Sequence, residues 1–226
     1  MKTSQYFYYK TMNMIQNIEY CKLGHENIDQ LIHFVLSENY LHHQDFKTAE
    51  ELKSEQQVLY AEEREYRNSH IFIAVSQNFI RGSIRIFRKQ PTQILPLEKI
   101  FNIKIQEMVD DERPIYHIGR FAVTKGADNN GFRIFKTLMV LALNVAKEDQ
   151  TGTVFAECDV KLLRTIRLLG IEAEAIGKPI HYLGSETVPI KLPWSGYKNF
   201  VNKHRNLNAV VDPPLGHELP DKHFSP

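Results

Sequence analysis

The segment from Ile115 to Gly170 constrains the fold more than any other part of this chain. It reads Ile115-Tyr-His-Ile-Gly-Arg-Phe-Ala-Val123, then a loop Thr124-Lys-Gly-Ala-Asp-Asn-Asn-Gly131, then the run Phe132 to Lys147. A strand-like stretch, Thr153 to Cys158, and a second helical stretch ending at Gly170 follow. Ile134, Phe135, Leu138, Met139, Ala142, Val145 and Ala146 recur at helical spacing and predict one wide apolar face. Strand, Gly/Asn-rich turn, helix and strand make a βαβ unit. Its turn is either an incidental core connection, as in many unrelated folds, or a cradle whose amides and helix N-terminus hold a phosphate.

The chain of 226 residues fits one large domain or a domain with an appendage. Formal charge is +1, which argues against a dedicated nucleic-acid binder. Two cysteines, Cys21 and Cys158, with no CxxC pair suit a reducing compartment and exclude a cysteine-rich zinc site. His42-His43 and the other histidines show no metal-ligand spacing, so no metal is expected. The first ten residues lack a signal-peptide pattern, and no apolar run approaches the ~20 residues of a membrane span. The expected location is cytoplasmic. Residues 1–16 read as an N-terminal extension, 17–192 as the domain, and 193–226 as a closing helix (tucking in Tyr197, Phe200 and Val201) with a mobile, proline-rich tail.

Earlier in the chain, Asn17 to Leu23 predicts a weak strand, and Ile28, Leu31, Ile32, Val35 and Leu36 mark a helix face. Thr48-Ala-Glu-Glu51 has capping-box spacing and predicts a second helix start. Its end, Glu62 to Asn68, reads as a solvated helix end. His70–Val75 and Phe79–Phe87 predict a hairpin, Leu97–Phe101 a helical turn, and three short strands are expected within 171–176, 180–183 and 188–192. The predicted fold class is α+β: a mixed sheet of six or seven strands with helices on its faces in three layers and one βαβ crossover.

Four segments resemble one branch of the GCN5-related N-acetyltransferase superfamily, the autoinducer (acyl-homoserine lactone) synthases and N-acyl amino acid synthases. Arg81-Gly-Ser-Ile-Arg-Ile86 resembles its G-[ST]-x-R-[LI] strand, and Leu95-Pro-Leu-Glu-Lys-Ile-Phe101 its LPxExxF loop. His117-Ile-Gly-Arg-Phe-Ala-Val123 resembles its E-x-[SG]-R-[FL]-x-V central strand. Leu168-Leu-Gly-Ile171 through Ile176-Gly-Lys-Pro-Ile-His-Tyr182 resembles R-x-G-[WFI] … x-G-x-P-x-x-Y. The likeness spans residues 17–192. It implies that the central strand splays from its parallel neighbour to admit a pantetheine arm, and that the chain is an N-acyltransferase.

There are departures. The superfamily's diphosphate loop, [RQ]-x-x-G-x-[GA], is here Lys125 to Gly131, with an acidic Asp128 that works against a second anion. That fits a donor with one phosphodiester, the phosphopantetheine of an acyl carrier protein, with an acyl-CoA thioester as the other donor. His117 stands where the branch has glutamate, and its E-x-D-x-x-D run is eroded to Glu63-Arg-Glu-Tyr-Arg-Asn68. These changes argue against lactone closure on S-adenosylmethionine and leave fatty acylation of an amine intact. An ordinary acetyl-CoA-dependent N-acetyltransferase and a non-catalytic acyl- or cofactor-binding module are the alternatives.

The site expected from these readings has His117 or Glu157 as base, since imidazole and carboxylate both take protons near neutrality. Asp159 is a second acidic candidate or a helix N-cap. Arg85 and Arg120 interrupt apolar strands and need anionic partners: they recognise an acceptor's carboxylate or brace the acidic segment Glu63–Glu65, or else form structural ion pairs or snorkel to the sheet edge. Period-two alternation puts His117, Gly119 and Phe121 on one face, and Tyr116, Ile118 and Arg120 on the other. Phe121, Ala122 and Val123 are expected to offer amides to the thioester, and Asn129, Asn130, Gly131 and Phe132 to the phosphate. Ile84, Ile86, Phe87, Phe121, Phe135, Leu138 and Met139 are either tunnel lining for an acyl chain or ordinary core. No permanently bound cofactor is expected; the partners are an acyl carrier protein or coenzyme A thioester and a small amine or amino acid acceptor.

Overall fold

The computed structural model describes residues 18–43, 48–109, 113–128, 132–147, 149 and 151–208. The N-terminal extension, most of the proline-rich tail, and Asn129, Asn130 and Gly131 lie outside the described residues.

The chain begins with β1 (Glu19–Lys22), α1 (Ile28–His43) and α2 (Ala49–Glu65), then the hairpin β2 (His70–Ser76) and β3 (Phe79–Arg88). A short α3 (Pro96–Phe101) leads to β4 (Ile115–Val123), α4 (Arg133–Lys147), β5 (Thr153–Asp159) and α5 (Val160–Leu168). β6 (Glu174–Ala175), β7 (Ile180–Tyr182), β8 (Ser185–Leu192) and α6 (Trp194–Lys203) complete it. The strands form one sheet of eight in the order β1-β2-β3-β4-β5-β8-β6, with β7 also paired to β8. All these pairs are antiparallel except β4–β5, the one parallel crossover.

Local chemistry accounts for the boundaries. The capping box is formed: Thr48 N–H donates to Glu51 Oε2 (2.8 Å), and Glu51 N–H donates to Thr48 Oγ1 (3.3 Å). Gln77 and Asn78, both at positive φ, make the two-residue hairpin turn. Gly170, at φ +85°, ends α5 as Ile171 N–H reaches back to the Ile166 carbonyl.

Strand alternation then sorts the core into layers. Phe72, Ala74, Ile84, Ile86, Tyr116, Ile118, Val154 and Ala156 face α4, α5 and α6, and Tyr197, Phe200 and Val201 of α6 join that cluster. On the opposite face Ile71, Ile73 and Ala122 pack against Leu31, Phe34 and Val35 of α1. Tyr66, Phe87, Leu95, Leu97 and Phe155 form a separate cluster on that same side. The expected three-layer α+β architecture with a mixed sheet is present, with eight strands where six or seven were expected. No helix among the described residues is long and apolar enough to cross a membrane.

Candidate active site

β4 and β5 pair in register only from Ile115↔Thr153 to Ile118↔Ala156. Both strands continue, β4 to Val123 and β5 to Asp159, but they no longer share hydrogen bonds there. Each turns to its other neighbour, β4 to β3 and β5 to β8. The divergence opens a cavity of about 130 Å³ between them. Ile118, Gly119, Arg120 and Phe121 line it from β4, and Ala156, Glu157, Cys158 and Asp159 from β5.

A bulge in β4 sets which side chains face this opening. Gly119 opposes Arg85 and Ala122 opposes Ser83, so one residue of β3, Ile84, faces both Arg120 and Phe121. Arg120 takes up the extra length at φ +52°, a left-handed conformation rare for a long side chain. The alternation expected from sequence therefore holds through Gly119 and breaks at Arg120. Arg120 points to the α2 side together with His117, and Phe121 turns to α4, its ring edge-on to Phe135 at 5.0 Å. Periodicity alone cannot register a one-residue insertion.

On the α2 side the charges form one connected group. Arg85, fully buried, pairs with Glu63 and lies over the rings of Tyr66 and Phe87 at 5.1 and 5.2 Å. Arg120 donates from Nε to Glu63 Oε1 and from Nη2 to Glu62 Oε2, each at 2.7 Å. The two arginines thus brace the end of α2. This corrects the reading of Glu62–Glu65 as a solvated helix end, since Glu63 is buried and Glu62 largely so. Of the two partners expected for these arginines, an acceptor's carboxylate or the acidic segment Glu63–Glu65, the second is present, across 22 and 57 residues of sequence. Burial pushes the Glu63 carboxyl up, but Arg85 and Arg120 outweigh that and hold it at about 2.

His117, also fully buried, places Nε2 2.8 Å from Glu157 Oε2. An ionised carboxylate can only accept, so the imidazole N–H donates. Burial raises the Glu157 pKa, yet His117, Arg120 and Arg85 more than offset it and keep it below the usual carboxylate range. Gly119 makes this convergence sterically feasible: a Cβ there would sit 3.1 Å from His117 Cε1, 3.2 Å from Arg85 Nη2 and 3.4 Å from Glu157 Oε1. The four expected chemical residues, His117, Glu157, Arg120 and Arg85, are brought together, although only Glu157 and Arg120 line the cavity. Asp159 caps α5, its Oδ1 accepting from Lys161 N–H and Leu162 N–H. Tyr182 is a site residue that sequence reasoning missed. It lines the cavity, and burial and the nearby Glu62 and Glu157 push its phenol up to about 12, so it is a neutral hydrogen-bond donor. Its place in the x-G-x-P-x-x-Y resemblance was the available signal.

On the α4 side Phe121, Phe135, Met139, Leu162, Ile166 and Ile190 give the cavity an apolar wall. Ile84, Ile86 and Leu138 are fully buried core instead, and Phe87 sits on the opposite face, beside His117. In the loop after β4, Asp128 reaches the start of α4, where Oδ1 accepts from Ile134 N–H (3.0 Å) and Oδ2 from Phe135 N–H (2.9 Å). Two amides at the start of α4 are thus taken by a carboxylate of the chain, while of the four residues expected to offer amides to a phosphate only Phe132 lies among the described residues. Phe132 stands at φ +60° and is half exposed. Among the described residues, no cluster of three or more histidine, cysteine or acidic side chains could hold a metal ion.

The fold has counterparts among known proteins. The structure of FeeM, an N-acyl amino acid synthase from uncultured soil microbes, superposes with a TM-score of 0.60 at 16% identity. That match covers 84% of this chain and 98% of that one. The autoinducer synthase LasI gives a TM-score of 0.55 at 12% identity, covering 86% and 96%. A GNAT-family acetyltransferase from Staphylococcus aureus Mu50 gives 0.52 at 15%, covering 79% and 99%. These likenesses establish the GNAT-type fold. Curated protein sequences provide no match. The sequence profile described as N-acyl amino acid synthase FeeM matches residues 35–192, from the middle of α1 to the last residue of β8, and so takes in the bulge, the splay and the charged cluster. The chain belongs to the FeeM family of N-acyl amino acid synthases.

Proposed function

We propose that this chain is an N-acyltransferase that moves a long-chain acyl group from a thioester to the amine of an amino acid or other small molecule. The parting of β4 and β5 after Ile118/Ala156 carries the reading, because it opens a thioester-sized slot through the sheet with Glu157 at its edge. The N–C bond forms as the amine attacks the acyl carbonyl, the C–S bond breaks, and the amine's surplus proton passes to the base and on to the departing thiolate. Glu157 is the base, since it is ionised and lines the cavity, and His117 behind it orients its carboxylate. Tyr182, neutral and in the same cavity, is placed to protonate the thiolate. Phe121, Ala122 and Val123 lie beyond the end of the β4–β5 ladder, and an amide of that stretch turned away from β3 would receive the carbonyl oxygen.

The donor arm enters between the strands, and its acyl chain runs along the apolar wall formed by Phe135, Met139, Leu162 and Ile166. An acyl carrier protein is the preferred carrier. α5, beside the cavity, carries Lys161, Arg164 and Arg167 and no acidic residue, with Lys161 and Arg164 exposed to an acidic partner. Arg85 and Arg120 are paired with Glu62 and Glu63, so acceptor recognition falls to Glu157 and Tyr182, which line the cavity and favour an ammonium. The test is turnover of acyl carrier protein loaded with chains of two to sixteen carbons against a mixed pool of amines and amino acids, read by mass spectrometry. N-acylated product that increases with chain length supports the reading. Acetyl transfer as the best reaction would make it an ordinary acetyltransferase.

A further inference from the structure

Arg85 meets Glu63 through only one of its donor groups. Nη1 makes that contact, while Nε and Nη2, the N–H groups along one edge of the guanidinium, have no hydrogen-bond partner among the described residues. Bulk solvent does not reach that edge, because the side chain is fully buried against the rings of Tyr66 and Phe87. A buried, charged donor without an acceptor is costly, so the edge needs an occupant.

A complementary atom lies on the same face of the sheet. His117 gives its Nε2–H to Glu157 at 2.8 Å, which leaves Nδ1 with a lone pair, buried and likewise without a partner. Arg85 opposes Gly119 and Phe87 opposes His117, so the two side chains are diagonal neighbours on adjacent strands. Phe87 lies against both, 5.2 Å from the Arg85 guanidinium carbon and 5.2 Å from the His117 ring. A Cβ on Gly119 would lie 3.2 Å from Arg85 Nη2 and 3.1 Å from His117 Cε1, the ring carbon bonded to Nδ1. The two groups therefore converge over a residue with no side chain to part them.

Whatever joins them must accept from Arg85 and donate to Nδ1. A carboxylate or a halide does only the first. Water does both, and buried sites with several polar partners are where ordered water is held. Glu63 Oε2, also buried and unpartnered, is a further acceptor in the same cluster.

We propose that Arg85 is a positioning residue for the catalytic base: an ordered water gripped by its Nε/Nη2 edge donates to His117 Nδ1. That bond fixes the imidazole as the Nε2–H donor that orients Glu157. The inference rests on the acyl-transfer reading and names what holds its base in place.

Two measurements on the full chain test this without turnover. A crystal structure of the wild type should show one water within hydrogen-bond distance of both the Arg85 edge and His117 Nδ1. Density without that water, or with the Arg85 edge on another acceptor, overturns the proposal whether or not any variant folds. Nitrogen NMR of histidine-labelled protein at mildly alkaline pH reads the tautomer, the His117 signal being the one lost in His117→Asn. In the wild type the Glu157 carboxylate alone would dictate Nε2–H. The decisive sample is therefore Glu157→Gln, whose amide can either donate or accept. There the Nε2–H form should still be favoured at least ~tenfold, and in Glu157→Gln/Arg85→Lys by less than ~threefold. An even mixture in folded Glu157→Gln, or an unchanged preference in the folded double variant, overturns the proposal; an arginine that served stability alone would leave the two tautomer ratios equal. Absence of N-acylated product from every thioester would defeat the acyl-transfer reading separately, leaving the water and the tautomer to decide this one.

Discussion

His117 sits in the last paired stretch of β4, opposite Phe155, and Glu157 is the first residue of β5 beyond the ladder, and their side chains meet at 2.8 Å where the strands part. The contact closes the floor of the cavity with an ionised carboxylate whose second oxygen lies toward Gly119. Glu157→Gln keeps the shape and removes the base. It should lower kcat by roughly two to four orders of magnitude in protein that remains folded, with some loss of melting temperature near neutrality. His117→Asn should lower kcat less, and the double variant should be no worse than Glu157→Gln alone, since the two act as one unit. Steady-state kinetics with thermal melts checks all three.

Gly119 tests the crowding independently of charge. In Gly119→Val the added side chain would push on His117, Arg85 and Glu157 together, from the 3.1–3.4 Å contacts a Cβ already makes. We expect a loss of kcat together with a rise in acceptor KM, because Glu157 is both the base and a group that favours the acceptor's ammonium, and donor KM should change little.

Glu63 carries the buried cluster's stability. Its folded pKa, about 2, is depressed from 4.5, so its contribution is fully present above the unfolded pKa and is lost as pH falls through the folded one. The shift corresponds to roughly 3 kcal/mol, lost between about pH 5 and pH 2. Glu157, shifted in the same direction, adds to the same acid limb. Glu63→Gln leaves Arg85 and Arg120 short of a counter-charge and should destabilise the fold by about 3–5 kcal/mol near neutrality. Its stability should then fall less steeply on acidification than the wild type's. Urea unfolding at pH 7, 5 and 3 measures both effects.

The apolar wall predicts chain-length selectivity. Each buried methylene is worth ~0.8 kcal/mol, so six more would favour a long chain over acetyl by about 5 kcal/mol, more than a thousandfold. Met139→Trp, at the wall, should reduce kcat/KM for a sixteen-carbon donor by about two orders of magnitude and leave a two-carbon donor nearly unaffected. Equal losses for both donors would place the acyl chain elsewhere.

Regular periodicity made much of the fold legible. β4 and its limits, the α4 face, the capping box at Thr48, the hairpin and the C-terminal glycine of α5 follow from local pattern and turn chemistry, which act over a few residues and leave their mark in sequence order. That Arg85, His117, Arg120 and Glu157 stand out was legible too, because a polar or charged group on an otherwise apolar strand needs a reason. Which of the alternative partners the arginines take, and the face of Arg120, were not. A bulge adds one residue without altering composition, so the side on which Arg120 lies was decided by pairing with β3. Glu63 looked like solvated helix end until α2 was packed against the sheet, where Arg85 and Arg120 meet it. The sequence could show Asp128 as an unfavourable charge in a phosphate loop. Only the three-dimensional closure of that loop onto α4 makes the same carboxylate the helix's own anion, because hydrogen-bond geometry between residues six and seven positions apart depends on how the backbone between them turns.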